Sequence, residues 1–139
     1  MEKQEILNRA TALVSAAPYA TMGTIGPSGA PSMRAMTVLQ NDGLETVWFA
    51  TGLNTAKVAN LRQNPTATLF MADSEIGVGV TLIGTADVLT DRETTQRFWK
   101  PGLKRWFLQG PTDPNFCVLR FTAKQLIFSL DRQTTTIDL

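Results

Sequence analysis

Between Tyr19 and Leu130 the chain is cut into short runs of β-type residues, most of them bounded by a turn signal. Gly26-Pro-Ser-Gly-Ala-Pro31 follows the first run, Asn41-Asp42-Gly43 the second, and Asn64-Pro65 introduces the fourth. Strands joined by so few residues pair antiparallel, because a parallel partner needs a crossover of about a dozen residues or more. The spacing predicts strands over 19–25, 32–40, 45–51, 66–72, 78–89, 116–121 and 125–130. In the fifth, Val78, Val80, Leu82, Gly84, Ala86 and Val88 share one face, and Gly84 marks a bulge or a close approach. No G-x-G-x-x-G or P-loop argues for a parallel sheet, so the pattern points to an antiparallel barrel.

Helices are few. Ile6, Leu7, Ala10, Leu13, Val14 and Ala17 recur at helical spacing and predict a helix over 3–16, ended by Pro18. A short helix is expected over 55–63. Another, capped by Asp91, carries Phe98 and Trp99 before Pro101 breaks it, and 103–108 reads as a further helical turn or two. The polar tail from Asp131 to Leu139 is expected to be mobile or bound by a partner.

Missing residues exclude whole classes of chemistry. The 139 residues contain no His and one Cys, which removes Cys/His zinc sites, His-based triads, His-ligated haem and any intramolecular disulfide. Cys117, inside an apolar strand, reads as a buried, inert thiol. The net charge of +1 offers no attraction to nucleic acid or an anionic membrane. No apolar run approaches the roughly 20 residues of a spanning helix, and the N-terminus lacks a signal peptide's apolar stretch, so a cytoplasmic location is expected. Redox chemistry, if present, needs a bound cofactor.

Two elements about twenty residues apart suit an anionic, phosphorylated cofactor, and we read them as a site for flavin mononucleotide (FMN). The first is Pro31-Ser-Met-Arg34-Ala-Met36-Thr37, where a cation sits inside an apolar strand. Alternation places Arg34, Met36 and Val38 on one face. A phosphate would match the guanidinium fork; a carboxylate such as Asp42 or Asp73, or plain solvent, would also satisfy it. The second is Trp48-Phe-Ala-Thr51-Gly-Leu-Asn54-Thr55-Ala-Lys57, where a strand turns into a helix start. A lysine in the first helical turn opposes the helix dipole, so helix stability does not explain it; an anion at that N-terminus would. The alternative is an ordinary Asn54 or Thr55 cap beside a solvated lysine. Phe98, Trp99, Trp106 and Phe107 read as core, or Trp99 or Trp106 stacks on a ring system at this subunit's site or a partner's.

These segments resemble the pyridoxamine 5'-phosphate oxidase-like superfamily of FMN-binding split barrels, and more narrowly its bacterial general stress protein branch. The likeness runs through Ala20-Thr-Met-Gly-Thr, Gly29-Ala-Pro-Ser-Met-Arg34, Val47-Trp-Phe-Ala-Thr51, Lys57-Val-Ala-Asn-Leu61, Asn64-Pro65 and Gly84-Thr-Ala86. Phe98-Trp-Lys-Pro-Gly-Leu-Lys-Arg-Trp106-Phe107 and Gly110-Pro-Thr-Asp113-Pro114 point to the stress-protein branch. The resemblance implies a mainly β (α+β) fold, a six-stranded antiparallel split barrel with flanking helices, as a single domain over 1–139. It also implies a homodimer with FMN at the subunit interface. Arg34 and Lys57 would hold the phosphate and Thr55 would hydrogen-bond it. Ala35, Met36 and Thr37, with Phe49, Ala50 and Thr51, would line the ribityl chain and ring, and Trp106 would approach from the partner subunit. The Arg-x-His substrate element of the pyridoxamine phosphate oxidases has no counterpart here, so vitamin B6 oxidation is not expected. An FMN-dependent oxidoreductase of unknown substrate, a flavin sensor without turnover, a deazaflavin protein and a cofactor-free structural dimer remain open.

Overall fold

The computed structural model describes all 139 residues. Helix α1 (Lys3–Ala16) is followed by β1 (Tyr19–Ile25), β2 (Pro31–Asp42) and β3 (Thr46–Gly52). Helix α2 (Ala56–Gln63) precedes β4 (Thr66–Asp73) and β5 (Val78–Leu89). Helix α3 (Arg92–Phe98) and two short 3-10 turns, Pro101–Arg105 and Gly110–Thr112, lead to β6 (Phe116–Leu130) and β7 (Gln133–Asp138). All pairings are antiparallel, in the order β3-β2-β1-β4-β5-β6-β7, and a β3–β6 pairing closes strands β1 to β6 into a six-stranded barrel.

The barrel interior is the main core. Phe49, Leu69, Val80, Leu82, Leu119, Phe121 and Leu126 are fully buried there, and α1 adds Ile6, Ala10 and Val14 from one stripe. Each large side chain among them contributes about 1.5–3 kcal/mol by leaving water. The odd-even face expected for β5 is the buried one. Gly84 sits at the β5–β6 register shift, where a methyl group would collide with the Thr122 carbonyl. The strands approach more closely there than any side chain allows.

A second layer lies outside the barrel. Leu39, Trp48, Phe98, Phe107, Phe116 and Val118 form their own buried cluster under α3 and the following turns. Trp48 stacks on Phe98 at 4.5 Å between ring centroids, and Trp99 meets Phe116 edge-on. Asp91 caps α3 as expected, accepting the Thr94 N–H at 3.0 Å.

Two expectations are corrected. The stretches 116–121 and 125–130 form one continuous strand, because Thr122–Lys124 carries no Gly or Pro to break it. The tail is not a mobile segment: after a tight turn with Asp131 and Arg132 at positive φ, it returns as β7 along β6. No helix is long and apolar enough to cross a membrane.

Candidate functional site

The β2–β3 ladder runs from Asp42↔Thr46 to Val38↔Phe49 and stops. Beyond that point β2 continues along β1 down to Ile25↔Pro31, while β3 continues along β6 to Gly52↔Phe116. The two strands diverge. The β2 edge from Pro31 to Thr37 and the β3 edge from Ala50 to Gly52 therefore face a gap without a ladder partner. Backbone N–H and C=O groups on such edges are strong, open hydrogen-bonding sites. Ala35, Met36, Thr37, Ala50 and Thr51, all expected to line a ligand, belong to these edges, and Phe49 closes the gap at its base with its side chain in the core.

Arg34 stands on the β2 edge. Its cross-strand partner is Met22, and the next inward pair on that face is Met36 with Ala20. Met22, Met36 and Ala20 are buried, so Arg34 extends the barrel-interior face outward, where it becomes exposed. Neither Asp42 nor Asp73 pairs with it: the one ion pair in the molecule joins Arg120 to Asp87 at 3.0 Å. Asp42 instead accepts the Trp48 indole N–H at 3.1 Å.

Lys57 is buried to 8 % exposure at the start of α2. Its ammonium donates to Thr51 Oγ1 at 2.9 Å. Burial pushes its pKa below the usual 10.5, and the nearby Arg34 guanidinium pushes it further the same way. A buried cation beside a second cation, with a neutral hydroxyl as its hydrogen-bond partner, is a destabilised arrangement that an anion would relieve. The first intrahelical bond of α2 runs from Ala59 N–H to Thr55 C=O, which leaves the N–H groups of Ala56, Lys57 and Val58 without helix partners. Thr55 is the N-cap residue; its hydroxyl donates to the Gly52 carbonyl at 2.8 Å and so braces the turn.

Several residues that complete this end of the barrel were not identified from sequence. Asn60, one helical turn after Lys57 on the same buried face, donates to Thr24 Oγ1 at 3.0 Å and ties α2 to β1. The i, i+3 spacing from Lys57 was the available signal. Asn115 holds the turn before α2, accepting the Asn54 N–H at 3.1 Å on its side chain and the Leu53 N–H at 2.8 Å on its backbone carbonyl. A Cβ on Gly52 would come within 2.9 Å of Asn115 Nδ2, so a side chain there would displace the Asn115 amide. Asp113 in turn fixes the loop by accepting the N–H groups of Gln109 and Asn115. The Gly110–Pro114 motif thus acts on the site through Asn115.

Cys117 lies behind Lys57, fully buried, with its thiol donating to the Thr51 carbonyl at 3.4 Å. Burial pushes its pKa up to about 11, against the partial opposition of Arg62 and Lys57. It is a neutral packing group at physiological pH. Trp106 is distant from these residues in sequence and does not join their hydrogen bonds. It is 62 % exposed, with the Arg105 guanidinium over its ring at 4.4 Å. No cluster of His, Cys, Asp or Glu could hold a metal ion.

A concavity of about 770 Å³ lies at the opposite end of the barrel, between α1 and the β4–β5 turn. Its walls are mainly aliphatic, from Ala12, Leu13, Ala16, Met71 and Val78, and neither Arg34 nor Lys57 borders it.

The family model for pyridoxamine 5'-phosphate oxidase matches residues 6–129. Protein bli-3 of Neurospora crassa is 27 % identical over 94 residues, covering 62 % of this chain and 44 % of that protein, so the chain spans less than half of that relative. A protein from Clostridium acetobutylicum related to general stress protein 26 superposes with a TM-score of 0.90 at 28 % identity, covering 99 % of this chain and 97 % of that one. General stress protein 26 from Bacillus anthracis shares the fold, with a TM-score of 0.77, 19 % identity and coverage of 96 % and 99 %. A pyridoxamine 5'-phosphate oxidase-related, FMN-binding protein from Nostoc punctiforme does so with a TM-score of 0.66, 16 % identity and coverage of 98 % and 94 %.

Proposed function

Because the chain belongs to the pyridoxamine 5'-phosphate oxidase family, we propose that it binds FMN at the β2–β3 gap and works as a cytoplasmic flavin-dependent oxidoreductase linked to stress response. The observation that carries this reading is buried Lys57, hydrogen-bonded only to Thr51 and repelled by Arg34. A phosphate dianion fits between two such cations and the free N–H groups of α2, each charge-assisted bond stabilising it more than a neutral one would. Lys57 supplies a fixed, partly desolvated charge, and Arg34 an exposed fork that closes from the rim. Thr51 and Thr55 place hydroxyls beside the phosphate position. The open edges of Ala35–Thr37 and Ala50–Thr51 offer backbone partners to the ribityl chain and ring, above Phe49 at the base of the gap.

FMN, when bound, supplies hydride or electron transfer at N5. The chain's own share is binding, orientation and exclusion of water. No acid or base suited to proton transfer near pH 7 stands at the gap, since Cys117 stays protonated and His is absent. An electron partner would therefore meet an exposed ring edge. A second subunit would wall the gap. Tyr19, Met33 and Phe70, exposed to 63, 53 and 44 %, lie along the outer face of β1, β2 and β4 beside the open β2 edge and suit a homodimer contact. In that dimer Trp106 would reach the partner's flavin. Pyridoxamine phosphate is not the expected substrate.

The direct test is retention of FMN. Purified protein mixed with FMN and freed of excess should keep a flavin absorption spectrum at about one FMN per chain. A colourless protein that also ignores FMN in titration would sink the reading. Rapid, repeated reoxidation of the reduced protein by an added acceptor would separate an enzyme from a flavin sensor, and preference for a deazaflavin over FMN would redirect the cofactor assignment.

A further inference from the structure

One strand, β7, lies outside the barrel closure. β7 pairs with β6 over its full length, from Leu130↔Gln133 to Gln125↔Asp138, and nothing pairs with its other side. The Leu139 N–H donates to the Lys124 carbonyl at 2.9 Å. In an antiparallel ladder, bonded and non-bonded positions alternate, so residues 133, 135 and 137 turn their N–H and C=O toward β6. Thr134, Thr136 and Asp138 turn theirs outward.

Open edges are usually guarded by Pro, Lys or a bulge. The other open edge, on β2, begins with Pro31 and carries Arg34. The β7 sequence, Gln-Thr-Thr-Thr-Ile-Asp, contains no Pro, no Lys and no bulge, and its register against β6 is unbroken. Three consecutive threonines have high β propensity, and Gln133–Thr136 are exposed. The edge is also self-complementary in charge. If two β7 strands run antiparallel about a two-fold axis at Thr135, Thr134 of each faces Thr136 of the other. The Arg132 turn of each chain then meets Asp138 of the other.

We propose that β7 is a docking edge for a second copy of this chain, joined by two-fold antiparallel β7–β7 pairing. Thr134 and Thr136 exchange backbone hydrogen bonds, and Arg132 and Asp138 set the register. Such a contact is isologous and closes on itself. β7 shares an edge of β6 with β3 but lies beyond its Thr46↔Thr122 end, whereas the gap lies at the Gly52↔Phe116 end, so β7–β7 pairing leaves the gap free. Together the two contacts would give a tetramer.

Amide hydrogen exchange by NMR tests this residue by residue, with sedimentation reporting mass. In the full-length protein, Thr134 and Thr136 N–H groups are expected to be protected by about 100-fold or more, like Thr135 and Ile137. Thr136→Pro removes only an outward N–H, which an edge tolerates. It should halve the mass, free Thr134, leave Thr135 protected and leave FMN binding unchanged. Asp138→Arg should weaken the assembly, and Arg132→Asp combined with Asp138→Arg should restore it; this pair decides the matter if the proline variant misfolds. Fast exchange at Thr134 and Thr136 beside slow exchange at Thr135 and Ile137, or a mass untouched by these substitutions, would overturn the proposal. Loss of the flavin reading would leave it standing, because halving is then read from dimer to monomer.

Discussion

The wall made by β4, β5 and β6 and the gap between β2 and β3 are built from similar strands, and they have opposite characters. In the wall, β5 pairs with β4 from Asp73↔Val78 to Thr66↔Thr85, and with β6 along its whole length. Its inner face is Val80, Leu82, Gly84 and Ala86, chosen for packing, and even one methyl group is excluded at Gly84. At the gap the ladder ends at Val38↔Phe49, and the residues beyond are Arg34, Thr51 and Lys57. Closing a sheet satisfies its backbone internally; leaving it open preserves unsatisfied groups for something else. On the proposed reading, the gap gives up some stability to keep a site.

This contrast can be broken at the wall first. Gly84→Ala should destabilise the protein by about 3 kcal/mol or more, since the methyl meets backbone that cannot retreat. Denaturant unfolding would show it, and a change under about 1 kcal/mol would mean the close approach is soft. Phe98→Ala should cost about 3 kcal/mol by removing the stack on Trp48, while FMN affinity changes little.

At the gap the signs reverse. Lys57→Met should lower FMN affinity about 100-fold, as expected for loss of a charge-assisted bond. The same variant should unfold at a higher temperature without FMN, by on the order of 1 kcal/mol, because it removes a buried cation. A parallel loss of affinity and stability would instead make Lys57 a structural residue. Arg34→Ala, at an exposed position, should cost about 10-fold in affinity and leave stability unchanged.

The pH dependence is the smallest and most diagnostic effect. Lys57 has a lowered pKa in the fold, so between that value and the usual 10.5 the unfolded chain binds more protons than the folded one. Its burial penalty is fully present below the folded-state value and is relieved as pH rises through this window, adding to stability there. FMN affinity should move the other way and fall as Lys57 loses its proton. In Lys57→Met both slopes should flatten over the same window.

Much of this was legible in the chain. Strands β1 and β5 and helix α1 have the expected bounds, because turn residues or proline punctuate an unambiguous apolar period. Arg34 and Lys57 stood out because neither strand packing nor helix electrostatics explains a cation at those positions. β7 was missed because Gln-Thr-Thr-Thr-Ile-Asp shows no alternation, and its partner lies on one side only. Asn60 and Asn115 were missed for a different reason. Their bonds to Thr24 and Asn54 span 36 and 61 residues, and no local pattern encodes a long-range contact.

The most direct measurement is a calorimetric titration of the apo protein with FMN and with riboflavin, which lacks the phosphate, repeated on Lys57→Met. FMN should bind at least about 100-fold more tightly than riboflavin to the unaltered chain, and the substitution should erase most of that difference while riboflavin binding holds. Equal affinities for the two flavins, or a phosphate preference that survives Lys57→Met, would contradict the assignment of the β2–β3 gap as the phosphate site.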